Sequence, residues 1–483
     1  MNRFRSYSAA LTLAALLSVV ARSGAELTMV RIEPNKSLGT WEAWGTSLCW
    51  WAKGLGARDD IADLLFTTNT VDFNGQKLPG LGLNFARYNV GACSWNEIDG
   101  RKMAVSRGIL PFRQMEGFWL DGKSEDPQSA SWKWTADANQ RAMLLKSRAR
   151  GAKYFELFSN SPMWWMCKND NPSGAAKATD DNLAPANYRQ YAVYLATVAK
   201  YARDHWGITF TSVEPFNEPT SSYWHANGKQ EGCHFSHEAQ AAMLPLLRAE
   251  LDKRGLDNIL IAASDESLYD QALATWNSFD AATKAIINQV NVHGYQRANG
   301  RRDLLFQAVA GKRLWNTEYG GNDPTGLGMA HDLHLDLRYL HPTAWTYWQP
   351  FDGGGWGLVD ADMRSNALGE INPKYFVLAQ YTRHIRPGMM ILDTGETDTV
   401  AAFDAVAHKL VIIARNGDGA GTKTFDLSKF TVPDGSVTQW ITEPKGGTRY
   451  EIRTGMKLIG RRFDCALPAN SIQTFEVLNV TKP

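Results

Sequence analysis

Two short runs in this chain each break from β-branched and apolar residues into a glutamate. They are Thr211 to Thr220, TSVEPFNEPT, with Glu218, and Lys312 to Gly321, KRLWNTEYGG, with Glu318. Two carboxyl groups held about 5 Å apart can cleave a glycosidic bond with retention, one attacking the anomeric carbon and the other protonating the departing oxygen. Each run reads as a buried strand with its carboxylate at the C-terminal end, where parallel (β/α)8 barrels gather their chemistry. The glutamates lie 100 positions apart, the span of three successive β/α units at roughly 30 residues each. Simpler uses exist for both: a turn cap before Pro219 for Glu218, and a loop ion pair for Glu318.

The two roles require different environments. Glu218, with Phe216, Tyr223 and Trp224 as neighbours, is expected to be desolvated and to hold a proton, as an acid must near neutral pH. Glu318 has to stay ionised to attack. Arg87 and Tyr295 are the groups expected against it, one as charge partner and one as hydrogen-bond donor.

The elements needed to position these groups are legible around them. Trp41 to Ser47 reads as the first barrel strand, Leu83 to Val90 as the second, Tyr154 to Ser159 as the third and the run from Thr211 as the fourth. Ile259 to Ala263 is expected as the fifth, ending at Ser264-Asp265-Glu266, and Ile286 to His293 as the sixth. The seventh ends at Glu318 and the eighth is Thr343 to Trp348. Helical periodicity fills the intervals at Asp59 to Phe66, Ala136 to Arg150 and Tyr188 to His205, so the pattern predicts an α/β fold with a (β/α)8 barrel over 41–383. After about Arg383 short β-type runs, such as Val400 to Phe403, Lys409 to Ala414, Ser436 to Ile441 and Ser471 to Leu478, alternate with Gly, Asp and Pro turns. That texture predicts a side β-sandwich over 384–483, with residues 26–40 adding an N-terminal strand.

Composition narrows the function class. The chain has 483 residues and is 44% hydrophobic, enough for one large core and a smaller one. Residues 1–25 carry Arg3 and Arg5, an apolar run from Ala9 to Val20, then Ser23-Gly24-Ala25, which reads as a secretory leader. Without it 48 basic residues face 50 acidic ones, a net of −2. No basic excess points to nucleic acid or an anionic membrane, and no later stretch has the roughly 18 apolar residues of a spanning helix. A secreted, extracellular monomer is expected.

Five cysteines (49, 93, 167, 233 and 465) leave at least one thiol free, their pairing is not readable, and no CxxC suggests zinc. Asn35-Lys36-Ser37 and Asn479-Val480-Thr481 are N-glycosylation acceptors. Aromatic residues are 11% of the chain, many of them in loops. Exposed aromatic planes suit the C–H face of a sugar, and core packing is the competing use.

The sequence resembles glycoside hydrolase family 30, and within it the fungal endo-β-1,6-galactanases, over essentially the whole mature chain. The residues that carry the resemblance are Trp44-Gly45-Thr46-Ser47-Leu48-Cys49-Trp50-Trp51-Ala52, Ala86-Arg87-Tyr88-Asn89, Ser159 to Met166, Glu214 to Pro219, Val292-His293-Gly294-Tyr295, Thr317 to Gly320 and Trp345 to Gln349. It implies the barrel with a fused sandwich, no metal or other cofactor, and double-displacement hydrolysis. Matched by position, Glu218 becomes the acid/base, Glu318 the nucleophile and Asn217 the holder of the sugar 2-hydroxyl. The remaining substrate contacts fall at Trp44, Thr46, Arg87, Asn160, Trp164, His293, Tyr295 and Trp348. The implied partner is a β-1,6-galactan polysaccharide. An endo-β-1,6-glucanase of the same family stays open as an alternative, since the two sugars differ at one hydroxyl, and so does a carbohydrate-binding protein without turnover.

Three further signals are weaker. His331, His334 and His341 mimic a ligand set, but on a Leu-rich amphipathic helix they read as solvated or capping groups. Gly353-Gly354-Gly355-Trp356-Gly357 lacks the Lys-Ser/Thr of a phosphate loop and reads either as a mobile loop carrying a Trp to the mouth or as a plain turn. Asp265 and Glu266 face the mouth by position alone.

Overall fold

The computed structural model describes residues 28–417 and 419–483. The leader read at 1–25 lies outside the described residues. Eight parallel strands close into a barrel. They are β1 (Ala43–Ser47), β2 (Phe85–Asn89), β3 (Tyr154–Phe158), β4 (Ser212–Glu214), β5 (Leu260–Glu266), β6 (Gln289–His293), β7 (Arg313–Tyr319) and β8 (Ala344–Tyr347). Nearly every residue in them is buried, as expected for parallel strands covered on both faces.

The strands follow the expected runs, with one difference that bears on the site. The fifth continues through Ser264, Asp265 and Glu266 instead of stopping before them, pairing Glu266 with Val292 across an irregular register. Its last residues therefore point into the structure, and Asp265 and Glu266 are both fully buried.

The barrel interior changes character along its axis. At the N-terminal ends of the strands Ala43, Phe85, Trp315 and Ala344 form an apolar plug, with the Phe85 and Trp315 rings 4.8 Å apart. Gly45 is required in this layer, because a β-carbon there would lie 2.6 Å from the Phe85 ring. One layer up the side chains turn polar. Glu156 of β3 accepts from Arg87 of β2 (3.1 Å), Ser212 of β4 (2.8 Å), and Gln289 (3.0 Å) and Asn291 (2.9 Å) of β6. A buried carboxylate is costly unless its lone pairs are filled, and four donors do this for Glu156.

The C-terminal part forms two sheets. The larger holds seven strands, including Ser37–Thr40 paired with Met390–Leu392. The smaller holds three, with Thr28–Arg31 parallel to Gly421–Asp426. Val30, Phe425 and Phe463 of the small sheet share one apolar core with Phe403, Ile412 and Phe475 of the large one. Segments from before and after the barrel therefore build this unit. It grips the helix Pro373–Thr382 by polar bonds, Gln380 Nε2 to Thr442 Oγ1 at 2.9 Å and Thr474 Oγ1 to the Gln380 carbonyl at 3.0 Å.

That docking explains the histidines. His334 is buried, with Nδ1 3.0 Å from the Thr397 carbonyl oxygen and Nε2 3.0 Å from the Tyr381 hydroxyl, and burial pushes its pKa down to about 3. It is neither solvated nor a cap, because the helix face that looks solvent-exposed in sequence is covered by the second unit. His341 does end its segment, in the left-handed region at φ 51°. All five cysteines are buried free thiols. Asn35 and Asn479 are exposed. Among the described residues no helix is long and apolar enough to cross a membrane.

Candidate active site

A cavity of about 750 Å³ opens at the C-terminal ends of the strands and holds both glutamates. Glu318 stands inside β7, its direction fixed by the strand. Glu218 follows the short β4 and sits in the left-handed region at φ 50°, where a non-glycine residue carries strain. Its N–H donates to the Asp265 carbonyl (2.9 Å) and its own carbonyl accepts from Trp224 Nε1 (2.8 Å). These bonds hold the strained residue so that its carboxyl faces Glu318. One oxygen of each glutamate and a nitrogen of His293 lie within 4.8 Å of one another.

A buried charge network lies beneath the pair. Arg87 spans three carboxylates, donating to Glu156 (3.1 Å), Asp265 (2.6 Å) and Glu318 (3.1 Å). Tyr295 donates to the other Glu318 oxygen at 2.7 Å. His293 Nδ1 lies 3.1 Å from Glu218 Oε1, while its Nε2 lies 3.2 Å from Asp265 and 3.7 Å from Glu318. Tyr223 donates to the remaining Glu218 oxygen.

Burial opposes charge on Asp265, yet Arg87 and then His293 hold it below the usual carboxylate range. Burial likewise opposes the His293 cation, but Glu318 and Asp265 push it up to about 10. Burial, with Asp265 and Glu156 nearby, drives Glu214 well above the usual range. The site is thus built on Arg87, Asp265 and His293 held together as opposite charges, with Glu214, whose carboxyl burial pushes up, at its side.

Desolvation does not separate the two glutamates as the sequence suggests, since Glu218 is 6% exposed and Glu318 4%. Burial raises the Glu318 carboxyl, with His293 and Arg87 pulling against it. His293 touches both groups. The asymmetry comes from Arg87, which reaches Glu318 and not Glu218.

His293 sets a testable alkaline limit. Its folded pKa of about 10 lies above the unfolded value near 6.5, so the native state binds the extra proton between them and stability falls as pH rises. Between about pH 6.5 and pH 10 urea midpoints of the protein are expected to decline as pH rises, with His293→Gln flattening that part of the curve. An equal decline in the variant would exclude His293 as the cause.

Of the positions expected from sequence, Asn217, Tyr295 and Trp348 line the cavity with the glutamates. Asn217 Oδ1 is buried with no partner in the protein, free to accept from a hydroxyl. Arg87 and His293 lie under the carboxylates instead of in the lining. Asn160 is also outside it, though both its amide atoms are buried and unpartnered. Three residues are placed elsewhere. Trp44 packs at 4.3 Å on Trp41 and donates to the Ile385 carbonyl, Thr46 donates to the Ser47 carbonyl, and Trp164 is fully buried and donates to Ser94 Oγ at 2.7 Å. Asp265 and Glu266 do not line the cavity.

Trp50, Arg113 and Asp352 also line the cavity, and the sequence reading assigns none of them a substrate role. Trp50 meets Trp348 edge-on at 5.2 Å, and the Arg113 guanidinium lies 4.4 Å from the centre of the Trp50 ring. Asp352 lines the same wall. Trp356 reaches the cavity on a loop that is tied down: Tyr347 donates to the Trp356 carbonyl and Asn372 Nδ2 to the Gly357 carbonyl. Of the two readings of this loop, the one that carries a Trp to the mouth holds for the Trp, and these bonds fix the segment that carries it.

Several known proteins resemble this chain. The family model described as O-glycosyl hydrolase family 30 matches residues 27–292. An endo-β-1,6-galactanase of Hypocrea rufa is 51% identical over 471 residues, covering 96% of this chain and 97% of its own. Among solved structures, a conserved exported protein from Bacteroides fragilis aligns with a TM-score of 0.75 at 18% identity, over 93% of this chain and 100% of its own. The catalytic domain of a family 30 xylanase C from Talaromyces cellulolyticus aligns at 0.69 with 20% identity, over 94% and 100%. At such identities the two structures speak for the fold alone.

Proposed function

Because the chain belongs to glycoside hydrolase family 30, we propose that it is a secreted retaining endo-glycosidase that hydrolyses β-1,6-linked galactan. The observation that carries the mechanism is the approach of Glu218 and Glu318 to within 4.8 Å, oxygen to oxygen, in one cavity. Retaining enzymes keep their carboxyl groups about 5 Å apart, whereas inverting ones leave roughly 6.5 Å or more for a water. The galactan substrate is suggested by the Hypocrea rufa relative.

Glu318 attacks the anomeric carbon while Glu218 protonates the departing glycosidic oxygen, and the bond to the leaving sugar breaks as the glycosyl ester forms. Arg87 and Tyr295 hold the Glu318 oxygens in line for attack. Two carboxylates this close repel when both are ionised, so one proton is favoured on the pair. Ester formation removes the Glu318 charge, and Glu218 then acts as base toward the water that cleaves the ester. Asn217, with its free Oδ1, is the residue proposed to accept from the sugar 2-hydroxyl. Residues 41–383 are read as the catalytic barrel, and 26–40 with 384–483 as a side sandwich that braces it. The exposed Asn35 and Asn479 fit a glycosylated exported protein.

A polysaccharide panel tests the reading. Incubation with β-1,6-galactan, arabinose-stripped arabinogalactan, β-1,6-glucan and xylan is expected to release galactose and short β-1,6-galacto-oligomers, with the stripped substrate cut better than the intact one. Preferential cleavage of the glucan would replace the substrate and leave the mechanism standing. No reducing-sugar release from any of them would leave a binding protein.

A further inference from the structure

Lys374 is the second residue of the helix Pro373–Thr382 and is 2% exposed. That is an unfavourable place for an ammonium, because the N-terminus of a helix is its positive end and burial strips water from the charge. Burial pulls its pKa down to about 8, with Asp323 and Asp360 opposing at longer range and Arg297 adding to the fall. A cation kept against local preference marks a functional constraint.

The polar atoms it touches show what the constraint is. Nζ donates to the Gly321 carbonyl (2.7 Å), the Gly355 carbonyl (2.6 Å) and the Tyr347 hydroxyl (3.0 Å), and lies 3.4 Å from the Trp356 carbonyl oxygen. The Tyr347 hydroxyl in turn donates to that Trp356 carbonyl. Gly321 follows three residues after Glu318, whereas Gly355 and Trp356 belong to the loop after β8. One amine therefore ties the end of the strand bearing Glu318 to the loop bearing Trp356.

The ring itself stands at the cavity wall, 37% exposed. It packs so closely on Gly320 that a β-carbon there would lie 3.2 Å from it. Gly355, at φ 76°, has no room for a side chain either, since a β-carbon would fall 2.7 Å from the Asn322 carbonyl oxygen. The loop is shaped to set one aromatic plane beside the reacting carboxylates.

We propose that Trp356 forms a sugar-stacking subsite next to Glu318 and that Lys374, which touches no substrate, is the positioning residue that holds it there. This rests on the carbohydrate reading above. Losing the packing of one sugar face on the ring is expected to raise KM for β-1,6-galactan about tenfold in Trp356→Ala while kcat stays within about twofold. Lys374→Met should do the same. The double variant should be no worse than either single one, because both remove the same platform. Tyr347→Phe, which deletes only the relay hydroxyl, keeps the test available if Lys374→Met does not fold: it should raise KM severalfold with Trp356 present and leave KM unmoved in the Trp356→Ala background. A Lys374 or Tyr347 effect confined to kcat, or one that multiplies with Trp356→Ala, overturns the proposal. If the wild type cleaves no β-1,6-linked polysaccharide, it is the functional reading that fails instead.

Discussion

Glu318→Ala is expected to lose turnover by at least about 10⁴-fold, which corresponds to about 5 kcal/mol of transition-state stabilisation. Alanine has no oxygen to form the glycosyl ester, and glutamine keeps the volume with an amide too weak to attack. Folding should survive, because Arg87 retains its bonds to Glu156 and Asp265 when Glu318 is gone; a thermal melt checks this. In Glu318→Ala the space left at the end of β7 admits a small anion. Azide entering there reaches the anomeric carbon from the face Glu318 used, so a single displacement gives a glycosyl azide of inverted configuration. Proton NMR of the anomeric signal reads the outcome. A product of retained configuration, or residual turnover above about one per cent of wild type, would remove Glu318 from the nucleophile role.

The residues that could be read from the sequence are those whose place follows from strand period alone. Glu318 is such a case: the run Arg313–Tyr319 reads as a buried strand between the turn glycines Gly311 and Gly320, and its carboxylate comes at the C-terminal end, where barrel chemistry gathers. Asp265 shows where this reasoning stops. A strand that ends at Ala263 exposes the acid at the mouth, but three more residues of strand turn it inward under Arg87, and only the pairing with β6 decides between those outcomes. Loop side chains are harder still. Trp164 follows a strand end and looks mouth-facing in sequence, yet the local backbone aims it at Ser94. Trp50 and Arg113 meet at the cavity from segments more than 60 positions apart, a juxtaposition no local period encodes. His334 failed for another reason, since amphipathic patterning marks a polar face without saying whether a second unit will cover it.

Glu218→Ala should separate the two halves of the reaction that Glu318→Ala abolishes together. Polysaccharide cleavage needs a proton on the departing sugar oxygen, and losing the positioned acid is expected to slow it about 10²- to 10⁴-fold. An activated aryl β-galactoside needs no such proton, so formation of the ester on Glu318 should proceed at near wild-type rate, provided the cavity accepts the aglycone. The second step then lacks its base. The ester accumulates, and the phenol should appear as a burst equal to the enzyme concentration followed by a slow phase. Azide does not require deprotonation, so it should speed the slow phase and yield a glycosyl azide of retained configuration. The same trapped species should be visible by mass spectrometry as a galactosyl adduct on the peptide carrying Glu318. The neighbours of Glu218 make alternative acids easy to name: Tyr223 and His293 both touch its carboxyl, and either one acting in its place would keep polysaccharide turnover near wild type. An inverted azide product from this variant, or an adduct on any residue other than Glu318, would reverse the assignment of the pair.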